Sequence, residues 1–269
     1  MLNIAECVHL ACVLEATARK PGNVHPGRDF DDLTYRDFIL SAGAIAPILE
    51  RAPQFGVGPV VLDAIRATRR LVTTNTNLGI VLLLAPLAAV PRERDLRAGV
   101  GDVLNDLSVD DSRAVFAAIR LANPSGLGNA PREDIRAEPT LPLREIMALA
   151  ADRDLVARQY ANNFRDVLEI GVPALSATTP LEAGIIRCYL RLLSAHPDSH
   201  VARKNGRELA VEASRRAADV LAGIARIEEF DDWLCADGHR RNPGTTADLV
   251  AASLFAGLRD GIIQWPAHF

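Results

Sequence analysis

Polar side chains that could bind an anion gather in five short stretches of this sequence. Residues 19–26, 73–79, 152–154, 198–206 and 242–249 read RKPGNVHP, TTNTNLG, DRD, DSHVARKNG and NPGTTADL. A helix end needs only one or two capping side chains, so these stretches are richer than capping requires. Because the first N–H groups of a helix and its dipole attract negative charge, the pattern favours a phosphorylated ligand or a nucleotide.

One of these stretches precedes the most hydrophobic helix that the sequence predicts. Asn75 and Asn77 flank a threonine there, and Gly79 follows. The two amides add neutral hydrogen-bonding groups to a helix start that could hold an anion. A doubled N-cap explains the same residues equally well, so both interpretations stay open.

The last stretch repeats this arrangement at the start of the C-terminal helix. Gly244 would let a ligand approach the backbone, and Thr245 and Thr246 offer hydroxyl groups. Asp248 falls in the first turn, where it could cap the helix or hold a cation on a phosphate. Since Thr-x-x-Asp resembles a capping box, capping is the alternative.

Cationic side chains occur in two of the stretches. Lys20 stands near Asn23 and His25, and Arg203 precedes Lys204. Lysine supplies a point charge and arginine a bidentate fork for phosphate oxygens. Asp32 follows the first cluster closely, and magnesium usually takes one or two carboxylates together with phosphate oxygens. Solvated charges on a surface are the alternative for either cluster alone.

Helices must position these groups, because the hydrophobic spacing is helical nearly throughout. Ile4, Val8, Ala11 and Leu14 form one face of a first helix, which should end where Pro21 disfavours helix at Lys20. We predict an all-α protein, a single domain over residues 1–269 with about ten helices. The irregular stretch 123–140 is long enough to be functional, with disorder as the alternative.

Composition and charge exclude several classes of protein. The formal net charge is −4, so a nucleic-acid partner is not expected. The apolar run 78–90 is too short to span a bilayer, and no signal peptide is visible. The four cysteines lack CxxC spacing, which favours a reducing, cytoplasmic location. We expect a small-molecule partner and carry a homodimer as a hypothesis.

The ordered set of stretches resembles the triphosphoribosyl-dephospho-CoA synthase family over nearly the entire chain. The resemblance rests on RKPGNVHP, FDDLTYRDFILSAGAI, TTNTNLG, AADRDLVARQY, PDSHVARKNG and NPGTTADLVAASLF. It implies an all-α fold and an enzyme that takes ATP and 3′-dephospho-CoA, releases adenine and joins the triphosphoribosyl group to the acceptor. Magnesium with ATP as substrate is the cofactor that it implies.

Two stretches depart from the family pattern. Family members carry Asn-Thr-His-Lys-Gly where this chain has Asn77 and Leu78, and a His where this chain has Phe30. The chain therefore resembles a divergent branch, typical of archaea and of bacteria that use methanogen-type C1 cofactors. The fold and a nucleotide site should carry over, whereas the acceptor stays open.

The resemblance turns the candidate residues into a hypothesis about a site. Glu15 or Asp154 would stabilise the developing ribose cation or activate the acceptor hydroxyl. Asp32 and Asp248 would hold magnesium. The remaining candidates would bind the nucleotide: Lys20, Asn23, His25, Asn75, Asn77, Gly79, Arg203, Lys204, Gly244, Thr245 and Thr246.

We expect these residues to meet in one cavity, although they span most of the sequence. Two alternatives remain. One is a non-catalytic nucleotide-binding protein that kept the fold. The other is a hydrolase of an N-glycosidic or phosphate bond in C1-cofactor biosynthesis. The products of the reaction would distinguish them.

Overall fold

The computed structural model describes residues 2–124 and 132–265. These residues form fifteen α-helices and a π-helical turn and contain no β-strand, which confirms the all-α prediction. The count exceeds ten because four helices are shorter than two turns. The helices are α1 (Ile4–Thr17), α2 (Tyr35–Leu49), α3 (Ala52–Phe55), α4 (Val57–Arg69), α5 (Leu78–Ala89), α6 (Leu96–Asn105), α7 (Val109–Ala122), α8 (Leu143–Ala148), α9 (Leu155–Asn162), α10 (Val172–Ser176), α11 (Leu181–Ala195), α12 (Ser199–Asn205), α13 (Arg207–Leu221), α14 (Ile227–Cys235) and α15 (Gly244–Arg259), with the π-helical turn at Asp166–Gly171.

Two helices, α5 and α15, form the centre of the fold. Nearly every residue of α5 is buried, as the uninterrupted apolar run requires, and α15 is buried along almost its whole length. They pack against each other, and α15 also contacts α1, α10 and α11. Their N-terminal ends, at Leu78 and Gly244, are therefore held in place by the core itself.

Several helix starts follow the capping chemistry of the sequence. Thr34 and Ser108 both form capping boxes, with Asp37 and Asp111 as the reciprocal partners. The sequence predicts Pro180 as the first residue of α11, whereas the structure has it as the N-cap, one position earlier. The stretch 143–171, which is long enough for one bent helix or two, forms α8, α9 and the π-helical turn, and Asp154 caps α9 between them.

The far end of the central pair is closed by the buried guanidinium of Arg259. It donates to the carbonyl oxygens of Val90 at 2.9 Å, Pro91 at 2.8 Å and Arg94 at 2.9 Å, and it pairs with Asp260. These carbonyls lie beyond the end of α5, where the helix itself offers no donors. Arg259 thus fixes the C-terminal ends of both central helices.

A buried carboxylate, Asp166, holds α9 against the rest of the molecule. It accepts from Gln159 at 2.7 Å and from Arg158 at 2.9 Å, and His196 lies 3.2 Å away. Burial alone would raise the pKa of Asp166, but the hydrogen bonds from His196 and Gln159 outweigh it and hold that pKa well below its usual range. The N-terminus of α9 is positioned by this network.

The end of α1 differs most from the sequence-based expectation. The sequence predicts that Lys20 presents its charge to a phosphate, but its side chain is fully buried. Its Nζ lies 3.0 Å from Oε1 of Glu15 and donates to the backbone oxygens of Glu15 and Ala18. A buried ammonium needs such partners, because burying an unpaired charge is very costly. Lys20 therefore compensates Glu15 and the carbonyls at the end of α1.

No helix within residues 2–124 and 132–265 is long and apolar enough to cross a membrane. The four cysteines are free thiols. Part of the long irregular stretch at 123–140, residues 125–131, lies outside the described residues.

Replacing Lys20 by methionine should lower the free energy of unfolding by about 3–5 kcal/mol, because Glu15 then stays buried without its partner. Chemical denaturation monitored by circular dichroism measures this. Lys204→Met is the matched control, since that lysine is exposed, and its effect should stay within about 0.5 kcal/mol.

The double variant Lys20→Met/Glu15→Gln should recover most of the loss, because it buries no charge. A single variant as stable as the wild type would contradict the buried pair. If the single variant does not fold, the recovery by the double variant still tests the same interaction.

Candidate active site

A cavity of about 1220 Å³ opens where the N-terminal ends of several helices meet. Most of the residues that the sequence predicts for the site line it: Glu15, Asn23, Asp32, Asn75, Asn77, Gly79, Asp154, Arg203, Lys204, Gly244, Thr245 and Asp248. Three of the predicted residues, Lys20, His25 and Thr246, do not line it. The expected convergence thus holds for residues from both halves of the chain.

The starts of three helices of eight residues or more contribute to the lining. They are the first turn of α5 with Leu78 and Gly79, that of α9 with Val156 and Ala157, and that of α15 with Gly244 and Thr245. Each start carries the positive end of a helix dipole, so their fields add within the cavity. An anion bound there would be stabilised by the backbone as well as by side chains.

Asp198 joins the starts of α12 and α15 through the protein interior. Its Oδ2 accepts from the backbone N of Thr246 at 2.7 Å and from its Oγ1 at 2.8 Å, while its Oδ1 caps α12 through Val201 N at 2.9 Å. Burial raises the pKa of Asp198 in spite of these donors. The sequence predicts a nucleotide-binding role for Thr246. It is fully buried and anchors Asp198 instead, because the first turn of α15 points that hydroxyl inward.

The start of α5 combines a partial cap with a free acceptor. Asn75 Oδ1 accepts from Leu78 N at 3.1 Å, which is the capping role that the sequence left open. Asn77 is 4% exposed and donates to Thr68 Oγ1 at 3.0 Å, but its own Oδ1 has no partner among the described residues. A buried amide oxygen without a donor is rare, so Asn77 offers an acceptor to a ligand.

Gly79 is required by the close approach of Asp248. A Cβ at position 79 would lie 2.0 Å from Oδ2 of Asp248, so any other residue would displace that carboxyl. Asp248 does not cap α15, whose start has no side-chain cap. The capping alternative for Thr245 and Asp248 is therefore wrong, and the carboxyl group of Asp248 lies against the first turn of α5 instead.

Four carboxyl groups lie near one another, and three of them have partners. Glu15 pairs with Lys20, Asp154 pairs with Arg203 at 2.8 Å, and Asp198 accepts its hydrogen bonds from α12 and α15. Asp248 has neither a hydrogen bond nor an ion pair within the described part of the chain. Burial, together with the neighbouring charges of Glu15 and Asp198, raises the pKa of Asp248 well above its usual value.

Asp154 is more fully engaged than a catalytic base would be. One of its oxygens caps α9 by accepting from Val156 N at 2.9 Å and Ala157 N at 3.1 Å, and the other binds Arg203. Glu15, in contrast, uses Oε1 for Lys20 and lines the cavity. Of the two carboxylates, Glu15 therefore has fewer hydrogen-bond partners.

Two other predicted residues, Asn23 and His25, form hydrogen bonds that stabilise the loop after α1. Asn23 lines the cavity, but its amide donates to the backbone oxygen of Pro21 at 3.0 Å and to Tyr189 Oη at 3.2 Å. His25 Nδ1 accepts from Gly27 N at 3.1 Å, away from the cavity. Burial and the charge of Arg28 lower the pKa of His25. The predicted ligand role of His25 is not supported by its position, because the turn after Val24 points it outward.

Several residues that the sequence does not predict for the site also line the cavity. His200 is one, and burial together with Lys204 and Arg203 lowers its pKa to about 3, so its imidazole is neutral. Phe30 and His239 are two more, and their rings stack with centroids 4.0 Å apart. His200 lies within one of the five polar stretches, whereas Phe30 and His239 belong to loops far apart in the chain.

An apolar wall faces these polar groups. It is formed by α7 and α8 and the segments beside them, and its side chains include Val115, Phe116, Ile119, Ile146 and Met147. No sequence signal marks this wall, because the same hydrophobic spacing is typical of core and cavity lining alike. Residues 132–135, from the described part of the long irregular stretch, complete this side.

The described residues contain no group of three or more His, Cys, Asp or Glu side chains that could hold a metal ion by themselves. A magnesium ion that arrives on a polyphosphate needs fewer protein ligands, since phosphate oxygens and water supply the rest. Asp32 is exposed and lines the cavity, which suits such an ion. Asp248 suits it less well, because its raised pKa favours the neutral carboxyl group.

Comparison with solved structures finds a protein of the same fold from Archaeoglobus fulgidus. Its crystal structure is described as that of a candidate triphosphoribosyl-dephospho-CoA synthase. The two chains are 29% identical with a TM-score of 0.69, and the match covers 83% of this chain and 99% of that one. Comparison with curated proteins finds no match.

The sequence also matches a protein family over residues 1–266, which is nearly its whole length. That family is described as CitG: ATP:dephospho-CoA triphosphoribosyl transferase. A cavity lined by helix N-termini, cations and carboxylates is the kind of site that a transferase of a phosphorylated nucleotide requires. This chain therefore belongs to the ATP:dephospho-CoA triphosphoribosyl transferase family, a family of transferase enzymes.

Proposed function

We propose that this protein transfers a triphosphoribosyl or related phosphoribosyl group from ATP, bound with magnesium, to the ribose hydroxyl of a nucleotide or cofactor-precursor acceptor, with release of adenine. The observation that carries the proposal is the convergence of three helix N-termini and a set of cations and carboxylates on one cavity. Family membership supports the reaction type. Dephospho-CoA is the first acceptor to test.

The volume of the cavity supports a site for two substrates. Pockets for a single small ligand usually measure about 300–1000 Å³, and this one is larger at about 1220 Å³. Its polar side suits the triphosphate, because Lys204 and Arg203 face the same space as the starts of α5 and α15. The apolar wall on α7 and α8 is left for the less polar part of the acceptor.

Proton transfer follows from the unequal environments of two carboxyl groups. When the bond between the ribose C1′ and the adenine nitrogen breaks, its electron pair leaves with adenine, which then needs a proton. Asp248 has no ion pair among the described residues and its pKa is raised, so it can hold a proton and donate it. Glu15 is paired with Lys20, and its carboxylate can accept the proton of the acceptor hydroxyl as the hydroxyl oxygen bonds to C1′.

Charge on the sugar is stabilised by the same carboxylate. The ribose becomes cationic as adenine departs, and an ionised Glu15 within the cavity would favour that charge. Asn77 contributes an acceptor oxygen without a partner among the described residues, which suits a sugar hydroxyl group. The family pattern has a His at this position, and an amide oxygen can replace its hydrogen bond but cannot carry a proton.

Adenine release tests the proposal directly. With ATP, magnesium and dephospho-CoA, chromatography should detect free adenine, and mass spectrometry should detect an acceptor that has gained the triphosphoribosyl group. Adenine without a modified acceptor would indicate hydrolysis instead. ATP binding without turnover on any acceptor would contradict the transfer and support a binding protein.

Replacing Lys204 by methionine should weaken the binding of ATP and of inorganic tripolyphosphate alike. The expected loss is about 1.5 kcal/mol, the lower end for a charged hydrogen bond, because the side chain is exposed. Isothermal titration calorimetry measures both affinities. Arg66→Met is a control, since Arg66 is exposed, pairs with Asp63 and does not line the cavity. Unchanged affinity in Lys204→Met would contradict the proposed phosphate position.

Replacing Asp248 by asparagine should slow adenine release by about 10²–10⁴-fold, the usual contribution of a general acid. The magnesium concentration needed for half-maximal rate should not change if Asp248 carries a proton. A large shift in that concentration would instead identify Asp248 as a magnesium ligand.

The same variant should be more stable than the wild type, in a pH-dependent way. The pKa of Asp248 is raised in the folded state, so this group favours folding fully below its unfolded value near 4 and loses that contribution as pH rises towards its folded pKa. The melting temperature of Asp248→Asn should therefore exceed that of the wild type more at pH 7 than at pH 4. Each kcal/mol corresponds to about 2–4 °C. A difference independent of pH would contradict the raised pKa.

A further inference from the structure

Two loops from opposite ends of the chain meet over the cavity through a pair of aromatic rings. Phe30, between α1 and α2, stacks on His239, between α14 and α15, with a centroid distance of 4.0 Å and an interplanar angle of 21°. Both side chains line the cavity, and neither belongs to the hydrophobic core. Flat apolar surface thus borders the same space as the phosphate-binding groups.

Both loops are held firmly enough to present these rings. The backbone N of Phe30 donates to Leu33 O at 2.8 Å, and Leu33 N donates back to Phe30 O. His239 has a φ of 64°, in the left-handed region that non-glycine residues seldom adopt. The next residue, Arg240, accepts a hydrogen bond on its backbone oxygen from Asn205 at 2.7 Å. Such a conformation persists only where the surroundings impose it, and it occurs often at ligand sites.

Two buried polar atoms, one in the His239 ring and one in the side chain of Asn242, have no hydrogen-bond partner among the described residues. Within the described residues, His239 Nδ1 and Asn242 Oδ1 are both buried and make no hydrogen bond. Leaving such groups unsatisfied is unfavourable, so a ligand that bonds to them would gain affinity. An amide oxygen accepts, and an imidazole nitrogen can donate or accept. The edge of an aminopurine offers complementary groups, because it has an exocyclic amino group beside a ring nitrogen.

We propose that Phe30, His239 and Asn242 form the subsite for the adenine base of the nucleotide. The inference rests on the proposed function in taking ATP as the nucleotide. The base lies against the aromatic pair, and Asn242 Oδ1 accepts from its amino group. The loop that carries His239 and Asn242 runs directly into Gly244 and the start of α15. Base and phosphates therefore contact neighbouring parts of one segment.

An aminopurine accounts for the stacked rings and the unpaired atoms together. A purely structural clasp between the loops would account for the rings but not for two buried polar atoms that lack partners among the described residues. A guanine base would place a carbonyl oxygen where adenine has its amino group, opposite the oxygen of Asn242. Adenine is therefore the base that this pair of loops fits.

Phe30→Leu separates base binding from phosphate binding. It keeps an apolar side chain but removes the ring, so affinity for ATP should fall by about 5- to 150-fold, the range of base–aromatic stacking, while affinity for inorganic tripolyphosphate stays within about twofold. Phe30→Tyr keeps the ring and should bind ATP nearly as the wild type does. Phe55→Leu is the matched control, because Phe55 is 52% exposed and lies outside the cavity.

Asn242→Ala tests recognition of the amino group. The wild type should bind ATP more tightly than purine riboside triphosphate, which lacks that group, and the variant should bind both equally. Unchanged ATP affinity in Phe30→Leu would overturn the proposal. Equal losses for ATP and tripolyphosphate would overturn it too, since they would show a structural clasp.

The outcome is separable from that of the proposed reaction. If the wild type releases no adenine with any acceptor, but Phe30→Leu selectively loses ATP, the transfer fails and the base subsite stands. If adenine is released and Phe30→Leu binds ATP as the wild type does, the transfer stands and the base subsite fails.

Discussion

The buried ion pair between Lys20 and Glu15 is the constraint on which the site depends. A fully buried ammonium must be compensated, and here the carboxylate of Glu15 and the last carbonyls of α1 do so. The lysine can reach them only because the chain turns sharply after α1. Gly22 N donates to Asp231 at 2.7 Å, and Tyr189 Oη donates to Pro21 O at 2.8 Å, so the turn is tied to α14 and α11. The part of the cavity wall that Glu15 and Asn23 form is thus tied to the core.

The carboxyl groups of the site differ in the partners that surround them. Glu15, Asp154 and Asp198 each have a cation or several N–H donors, and Asp248 has neither within the described residues. Burial, together with repulsion from the neighbouring carboxyl groups, therefore raises the pKa of Asp248, as in other sites where two acids share a low-dielectric space. A protein selected only for stability would have no reason to keep such a group, so its presence beside Gly79 is consistent with a catalytic demand.

The departures from the family pattern are accommodated within the same architecture. Leu78, where family members carry a Lys, is 7% exposed and belongs to the hydrophobic core cluster, although its backbone borders the cavity. Asn77 is anchored by Thr68 and keeps an oxygen free of partners among the described residues. Phe30, where family members carry a His, forms half of the aromatic stack. Relative to the family pattern, these three positions lack a cation and two imidazoles, so under the proposed function the ligand would be bound more by neutral hydrogen bonds and stacking.

The sequence by itself determined the fold class and several of the helix starts. Periodic apolar residues and caps such as Thr34 and Ser108 act within a few residues, so the local sequence is sufficient to specify them. It also identified polar residues of the cavity such as Asn75, Asn77 and Gly244, because Gly, Asn and Thr before an apolar helix mark a helix start whatever its surroundings.

Only the tertiary structure decided what each polar group does. Lys20 and Lys204 stand beside similar residues in the sequence, yet one is buried against Glu15 and the other faces the cavity. Thr245 and Thr246 are adjacent, but only Thr245 lines the cavity, while Thr246 bonds to Asp198. The stacking of Phe30 on His239 joins loops separated by most of the chain. Burial, partners and pKa depend on groups brought together from distant segments, and no local pattern of residues encodes that contact.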